Sequence, residues 1–169
     1  MWDKLKEQFN LLKLEKKKLC LITNSDKFES KDLFLDAIAS ALQGGVDIVI
    51  LRELAYPDNV VVEIASKLRI LCDEYGATFI VNNRSDIAMI VEADGVHLGQ
   101  NDISPQDART VLGENAIIGK STHNPDEVIQ AVNEGVDYIT FEPIADDKFV
   151  VEEYMLWVNE NIDVPVFLA

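Results

Sequence analysis

Four short segments of this 169-residue chain end apolar runs in polar side chains of chemically useful types. The most informative is Ala93-Asp94-Gly95-Val96-His97-Leu98-Gly99-Gln100-Asn101-Asp102, a strand-like run that opens into a loop with a glycine, an amide and a carboxylate. Phe79-Ile80-Val81-Asn82-Asn83-Arg84 precedes it and Ile117-Ile118-Gly119-Lys120-Ser121-Thr122-His123 follows it in the same form. Leu51-Arg52-Glu53 closes an earlier run. The carboxyl ends of strands are where barrel-type α/β folds put their chemistry. Asp102 is of a type that ligates a hard divalent cation through oxygen. Arg52, expected to be buried, is costly there without an anionic partner, with Glu53 or another acid as the structural alternative. Asn82 is expected either to bind a ligand or to satisfy backbone groups at a strand end. His97 reads as a structural histidine and His123 as a helix-start or packing residue. The two histidines lack the further ligands that zinc would need.

Composition narrows the field. There are 30 acidic residues against 15 basic, a formal net charge of −15. The imbalance is uneven: the first 18 residues hold six lysines and three acids, the remainder nine basic and 27 acidic residues. Nucleic acid is a poor partner for such a surface, because phosphate-backbone binding needs a basic footprint. An anionic ligand would depend on a few local cations. No apolar run approaches the length of a membrane span, and no secretory signal opens the sequence. Cys20 and Cys72 form no pairing framework, which suits a reducing, cytoplasmic setting.

The elements that must position these residues alternate. Strand-like runs are expected at 19–23, 48–52, 78–82, 95–98, 116–119, 138–141 and 164–168, and helices near 31–44, 59–75, 84–91, 104–112, 124–134 and 150–161. Ser30, Ser104-Pro105 and Asn124-Pro125 with Glu127 read as helix starts. Gly44-Gly45, Gly76, Gly113 and Gly135 read as helix ends. Residues 1–18 form a separate unit, with Trp2, Leu5, Phe9 and Leu12 at helical spacing and lysines opposite. This helix is expected to pack on the domain at 19–169, with docking to a membrane surface or partner as the alternative. Repeated βα units with nearly continuous apolar strands imply a parallel sheet covered on both faces, either a closed barrel or an open doubly wound sheet. The recurring strand start Gly45-Val46-Asp47, Glu92-Ala93-Asp94 and Gly135-Val136-Asp137 favours the barrel. No G-x-G-x-x-G follows the first strand, so a dinucleotide fold lacks its main support.

Together these segments resemble the thiamine-phosphate synthase family, which includes the related thiazole tautomerases. The resemblance runs from about Leu19 to Ala169 and is carried by Leu21-Ile22-Thr23, Leu51-Arg52-Glu53, Asn82-Asn83-Arg84-Ser85-Asp86-Ile87-Ala88, Gly95 through Asp102, and Gly119-Lys120-Ser121-Thr122-His123. It implies a TIM-type (β/α) barrel, here incomplete, with about seven parallel strands and the extra N-terminal helix. The implied reaction joins an aminopyrimidine-methyl pyrophosphate to a thiazole phosphate with release of pyrophosphate. Such dissociative chemistry needs Mg²⁺ and cationic side chains on the leaving group.

The resemblance also implies roles. Asp102 falls on a magnesium-binding carboxylate, and the second such carboxylate is replaced by Asn83. Asn82 falls near the pyrimidine. Arg52 and Ser121 fall on pyrophosphate contacts, with Thr122 able to assist. Lys148 stands for a lysine that meets pyrophosphate. Departures are as clear as matches. The family's glutamine and lysine flanking the arginine are Ile50 and Leu54. Glu142-Pro143-Ile144-Ala145-Asp146-Asp147-Lys148 replaces a hydroxyl-bearing loop near the thiazole phosphate, and like charge there disfavours an anion. The phosphate-cradling glycine pair after the seventh strand is absent.

Three functions remain open: a synthase-like enzyme with activity reduced or lost, a noncatalytic homologue that binds a phosphate ligand or partner, and a tautomerase-like enzyme. The last is weakened by Glu142-Pro143 in place of a glycine-histidine pair. An open sheet edge would invite a second copy or a complementing chain.

Overall fold

The computed structural model describes residues 14, 17, 19–53, 55–144 and 148–169. They form seven strands: β1 (Cys20–Ile22), β2 (Ile48–Leu51), β3 (Thr78–Asn82), β4 (Gly95–Leu98), β5 (Ile117–Thr122), β6 (Tyr138–Phe141) and β7 (Val166–Leu168). Between them lie α1 (Lys31–Gln43), α2 (Asp58–Tyr75), α3 (Ser85–Ile90), α4 (Pro105–Leu112), α5 (Pro125–Asn133) and α6 (Lys148–Asn161). The sheet order follows the chain. Seven parallel strands alternating with helices is the architecture the sequence leads one to expect. The helix expected over 1–18 lies outside the described residues, apart from Leu14, which is helical and buried, and Lys17, whose Nζ donates to the Gly76 carbonyl at 3.3 Å.

The chain divides into two compact units, Lys17–His97 and a second that includes Leu98–Ala169. In the first, β1 to β4 pair in parallel, with Cys20 opposite Ile48, Ile48 opposite Thr78 and Ile80 opposite Gly95. In the second, β5, β6 and β7 pair in parallel, with Gly119 opposite Tyr138 and Ile139 opposite Val166. β2 is buried along its whole length, as continuous apolar strands covered on both faces must be. α1 turns Phe34, Ile38 and Leu42 inward, and α2 turns Val61, Ile64, Ala65, Leu68 and Cys72 inward, each at the spacing of one helix face.

The helix starts obey local chemistry. Ser30, Ser104 and Asn124 accept from the backbone N–H three residues on, at Leu33 (3.2 Å), Asp107 (3.1 Å) and Glu127 (3.0 Å). Glu127 reaches back to the His123 N–H at 3.0 Å, and His123 Nδ1 lies 2.8 Å from the same carboxylate. His123 is thus a helix-start residue.

The repeated strand start has a structural cause. Asp47 donates its N–H to the Leu19 carbonyl (3.0 Å), and its Oδ2 accepts from the Leu19 N–H (3.1 Å). Asp94 makes the same two bonds with Phe79 (2.9 and 2.8 Å), and Asp137 with Ile118 (2.7 and 2.7 Å). Each aspartate therefore clasps one residue within or immediately before the preceding strand through both a main-chain and a side-chain bond. Two clasps are backed by arginine: Arg69 Nη1 lies 2.9 Å from Asp94, and Arg109 Nη2 lies 2.8 Å from Asp137. Arg109 also donates to the carbonyls of Ala116 and Gly135.

β5 runs to Thr122, three residues past its expected end at 119. Pairing with β6 continues through Lys120, Ser121 and Thr122. A lysine inside a strand argues for a loop, but Lys120 is neutralised by Glu134 at 2.5 Å, and this pair holds the Glu134 carboxyl below its ordinary range. Gly119 leaves room for the fully buried Tyr138 ring, since a Cβ there would lie 2.1 Å from Tyr138 Cζ.

His97 is a buried residue of β4, as expected of a structural histidine. Burial pushes its pKa down to about 4.

Replacing Gly119 by Ala is expected to destabilise the protein by about 3 kcal/mol in urea unfolding, through overpacking against a ring that cannot retreat. Asp137→Ala is expected to cost about 3 kcal/mol, because it strips a strand N–H and takes the carboxylate counter-charge from Arg109; a loss below about 1 kcal/mol would mean the clasp contributes little. For His97 the folded pKa of about 4 lies below the ordinary 6.5, so the unfolded chain takes up the proton first. Wild type should lose up to about 3 kcal/mol relative to His97→Gln as pH falls from 6.5 toward 4, and parallel pH profiles would contradict this.

Candidate functional site

In the first unit, the polar residues lie just beyond the carboxyl ends of β1, β2 and β3. Thr23 and Ser25 follow β1 and are both buried. Glu53 fastens them: Thr23 Oγ1 donates to its Oε1 (2.9 Å), the Ser25 N–H donates to the same oxygen (3.2 Å), and the Ser25 hydroxyl donates to Oε2. Thr23 Oγ1 also accepts the Arg52 N–H at 3.0 Å. Arg52 was expected to be buried or paired with Glu53. It is exposed, and its guanidinium has no partner among the described residues. Glu53 instead binds the β1 loop through both carboxylate oxygens.

Asn82 ends β3 half-buried, and its side-chain amide has no hydrogen bond among the described residues. It does not serve the strand end, where the Arg84 N–H bonds instead to the Asn82 carbonyl at 2.9 Å. Asn83 takes a left-handed backbone (φ 56°), a conformation that asparagine tolerates, and gives its N–H to the His97 carbonyl at 2.8 Å. Arg84 is not available for a ligand. It holds Asp58 at 2.7 Å and Asp86 at 2.7 Å, and it draws both carboxyls below the ordinary range.

In the second unit, the loop after β4 folds on itself. Asp102 Oδ2 accepts the Gly99 N–H at 2.6 Å, while Oδ1 has no partner among the described residues. Gln100 Nε2 donates to the Ser121 carbonyl at 2.6 Å, tying this loop to β5. Ser121 is half-buried, with the Thr140 hydroxyl 3.5 Å from its Oγ. Thr122 is fully buried and its hydroxyl donates to the Thr140 carbonyl at 2.9 Å. It braces the β5–β6 pair. Lys148 is the first residue of α6, while Asp146 and Asp147 lie outside the described residues.

No group of three or more His, Cys, Asp or Glu side chains converges among the described residues. A preassembled cage for a transition metal is therefore not found there. A single carboxylate, fixed through one oxygen and open at the other, does suit a hard cation that keeps water and ligand oxygens in most of its shell. Cys20 and Cys72 are free, and burial pushes both thiols up to about 12, which suppresses the nucleophilic thiolate. Among the described residues, no helix is long and apolar enough to cross a membrane.

Glu53, Thr23 and Gln100 make hydrogen bonds beside strand ends that sequence reading did not assign. The only signal for them was their position beside strand ends.

Comparison with known proteins bears on the fold and the family. A solved structure titled thiamine phosphate pyrophosphorylase, from Pyrococcus furiosus, superposes with a TM-score of 0.80 at 30% identity, over 93% of this chain and 76% of that one. Dihydrodipicolinate synthase from Oceanobacillus iheyensis superposes with a TM-score of 0.60 at 14% identity, over 96% of this chain and 62% of that one, which speaks for the fold alone. The fold is thus of the TIM type. Among curated proteins, thiamine-phosphate synthase from Nostoc sp. (strain PCC 7120) is 43% identical over 160 residues, 91% of this chain and 44% of that protein. The Synechocystis sp. (strain PCC 6803) enzyme of the same name is 42% identical over 139 residues, 79% of this chain and 40% of that protein. The chain therefore spans about two fifths of the length of the curated relatives it matches. A family model described as thiamine monophosphate synthase matches residues 19–167. The chain belongs to the thiamine monophosphate synthase family.

Proposed function

We propose that this chain is a thiamine-phosphate synthase-like transferase that turns over slowly. The observation that carries the reading is that Arg52 and Asn82 end β2 and β3 with side chains no described residue satisfies. An exposed guanidinium and an open amide at strand ends suit an anionic ester carrying a ring with hydrogen-bonding edges.

Roles follow residue by residue from the family resemblance. Arg52 binds the diphosphate of the aminopyrimidine substrate, and Ser121 offers it a hydroxyl. Asn82 hydrogen-bonds the pyrimidine. Asp102 would hold Mg²⁺, and the family's second metal carboxylate is replaced by the neutral Asn83. Lys148 adds a cation near the leaving group. The C–O bond between the pyrimidine methylene and the diphosphate breaks, and its electron pair leaves with pyrophosphate. The thiazole nitrogen then gives its lone pair to the methylene carbon to form the C–N bond, and no proton moves. Mg²⁺, when bound, offsets the charge that builds on the departing diphosphate. Arg52 does the same from the protein side, and Asn82 keeps the pyrimidine oriented.

Slow turnover follows from the substitutions. Asn83 removes one charge from the metal site, and Glu142 stands beyond β6 where the family places hydroxyl donors. One observation favours a second reading, a noncatalytic homologue that binds the same phosphate ligand. Asn83 is held in a left-handed turn by the His97 carbonyl, a conformation that fits asparagine in its own right.

Purified protein supplied with both substrates and Mg²⁺ is expected to form thiamine phosphate slowly. Asp102→Ala should reduce the rate to background, and Arg52→Ala should lower kcat/KM by at least about tenfold. Absence of product, with thermal stabilisation by the pyrimidine diphosphate, would favour the noncatalytic homologue. An unchanged rate in Asp102→Ala would reject the metal assignment.

A further inference from the structure

Glu53 directly follows the exposed Arg52, yet the two side chains do not pair. A carboxylate free to move beside an exposed guanidinium can compete weakly with an anionic ligand for it. Here both carboxylate oxygens are taken by three donors of the β1 loop: the Thr23 hydroxyl, the Ser25 N–H and the Ser25 hydroxyl. Thr23 and Ser25 are only 3% and 5% exposed, so these donors have little water to turn to. The same Thr23 oxygen accepts the Arg52 N–H at 3.0 Å, which fixes the backbone from which the guanidinium projects. One small network therefore does two things. It sets the direction of Arg52, and it keeps the neighbouring negative charge occupied.

We propose that Glu53, held by Thr23 and Ser25, is the positioning residue that keeps Arg52 open to an anionic diphosphate. This rests on the synthase-like reading for the identity of the ligand, while the claim about Arg52 itself rests only on the geometry. Removing Glu53 is not the sharpest test, because it also loosens the β1 loop. The sharper test removes the donors. In Thr23→Val/Ser25→Ala the carboxylate keeps its charge but loses both hydroxyl partners, so it becomes free to swing to Arg52 and compete with the ligand. Adding Glu53→Gln to that background removes the competing charge. If the network merely stiffened the loop, the triple variant would be no better than the double.

The experiment is calorimetric titration with inorganic pyrophosphate, together with solvent exchange of the Arg52 Nε–Hε proton by NMR. The double variant is expected to bind pyrophosphate about fivefold more weakly than wild type, and the triple variant to recover to within about twofold. Arg52 Nε–Hε exchange should slow in the double variant and return in the triple. Ser25→Ala alone should show the same changes in smaller measure, and it serves if the double variant does not fold. Equal weakening in double and triple variants, or none in the double, overturns the proposal. If wild type binds no pyrophosphate, the synthase-like reading fails, and the exchange rates then decide the positioning claim by themselves: unchanged rates across the series overturn it.

Discussion

The structure depends on a reciprocal bond between an aspartate and the strand before it. Asp47, Asp94 and Asp137 each give an N–H to, and take an N–H from, one residue within or immediately before the preceding strand. A parallel pair fixes its register less firmly at its ends than in its middle, because the outermost donors have no ladder partner. A carboxylate that closes that position satisfies the donor and forbids a slip in the same step. A one-residue slip would exchange the two faces of the strand, so the clasp protects the whole buried set. Arg69 and Arg109 keep two of these carboxylates from being buried charges without partners.

This device acts at the amino ends of the strands, and the polar residues sit at the other ends. With β1 registered to β2 and β3 to β4, Thr23 meets Glu53, and the Asn83 N–H meets the His97 carbonyl. With β5 registered to β6, Ser121 lies opposite Thr140. The candidate site residues are therefore placed by bonds made at the opposite ends of the same strands. The amino ends carry stability and the carboxyl ends are left free to vary, the division of labour usual in barrel-type folds.

Much of this was legible in the sequence, for reasons that differ by residue. Caps at Ser30, Ser104 and Asn124 were legible because the donor they satisfy lies three residues away. The apolar strands were legible because burial on both faces leaves no room for alternation. The clasping aspartates were visible as a repeat, but their partners lie 15 to 28 residues earlier and could not be read locally. The end of β5 was misplaced because Lys120 looks like a loop residue until Glu134, brought near by α5, neutralises it. Arg52 was expected to be buried because it closes the apolar run at 48–52. Its exposure depends on Thr23 and Ser25 engaging Glu53, a contact made across about 30 positions of chain.

The most direct measurement of the central claim is native-state hydrogen exchange at the backbone amides of Leu19, Phe79 and Ile118. If the clasps hold the strands in register, these three N–H groups should be protected as strongly as the middle of β2 and β3, although each has a side chain rather than a strand as its partner. Exchange as fast as in exposed loops would contradict it, and would move the origin of the register to the interior of the sheet.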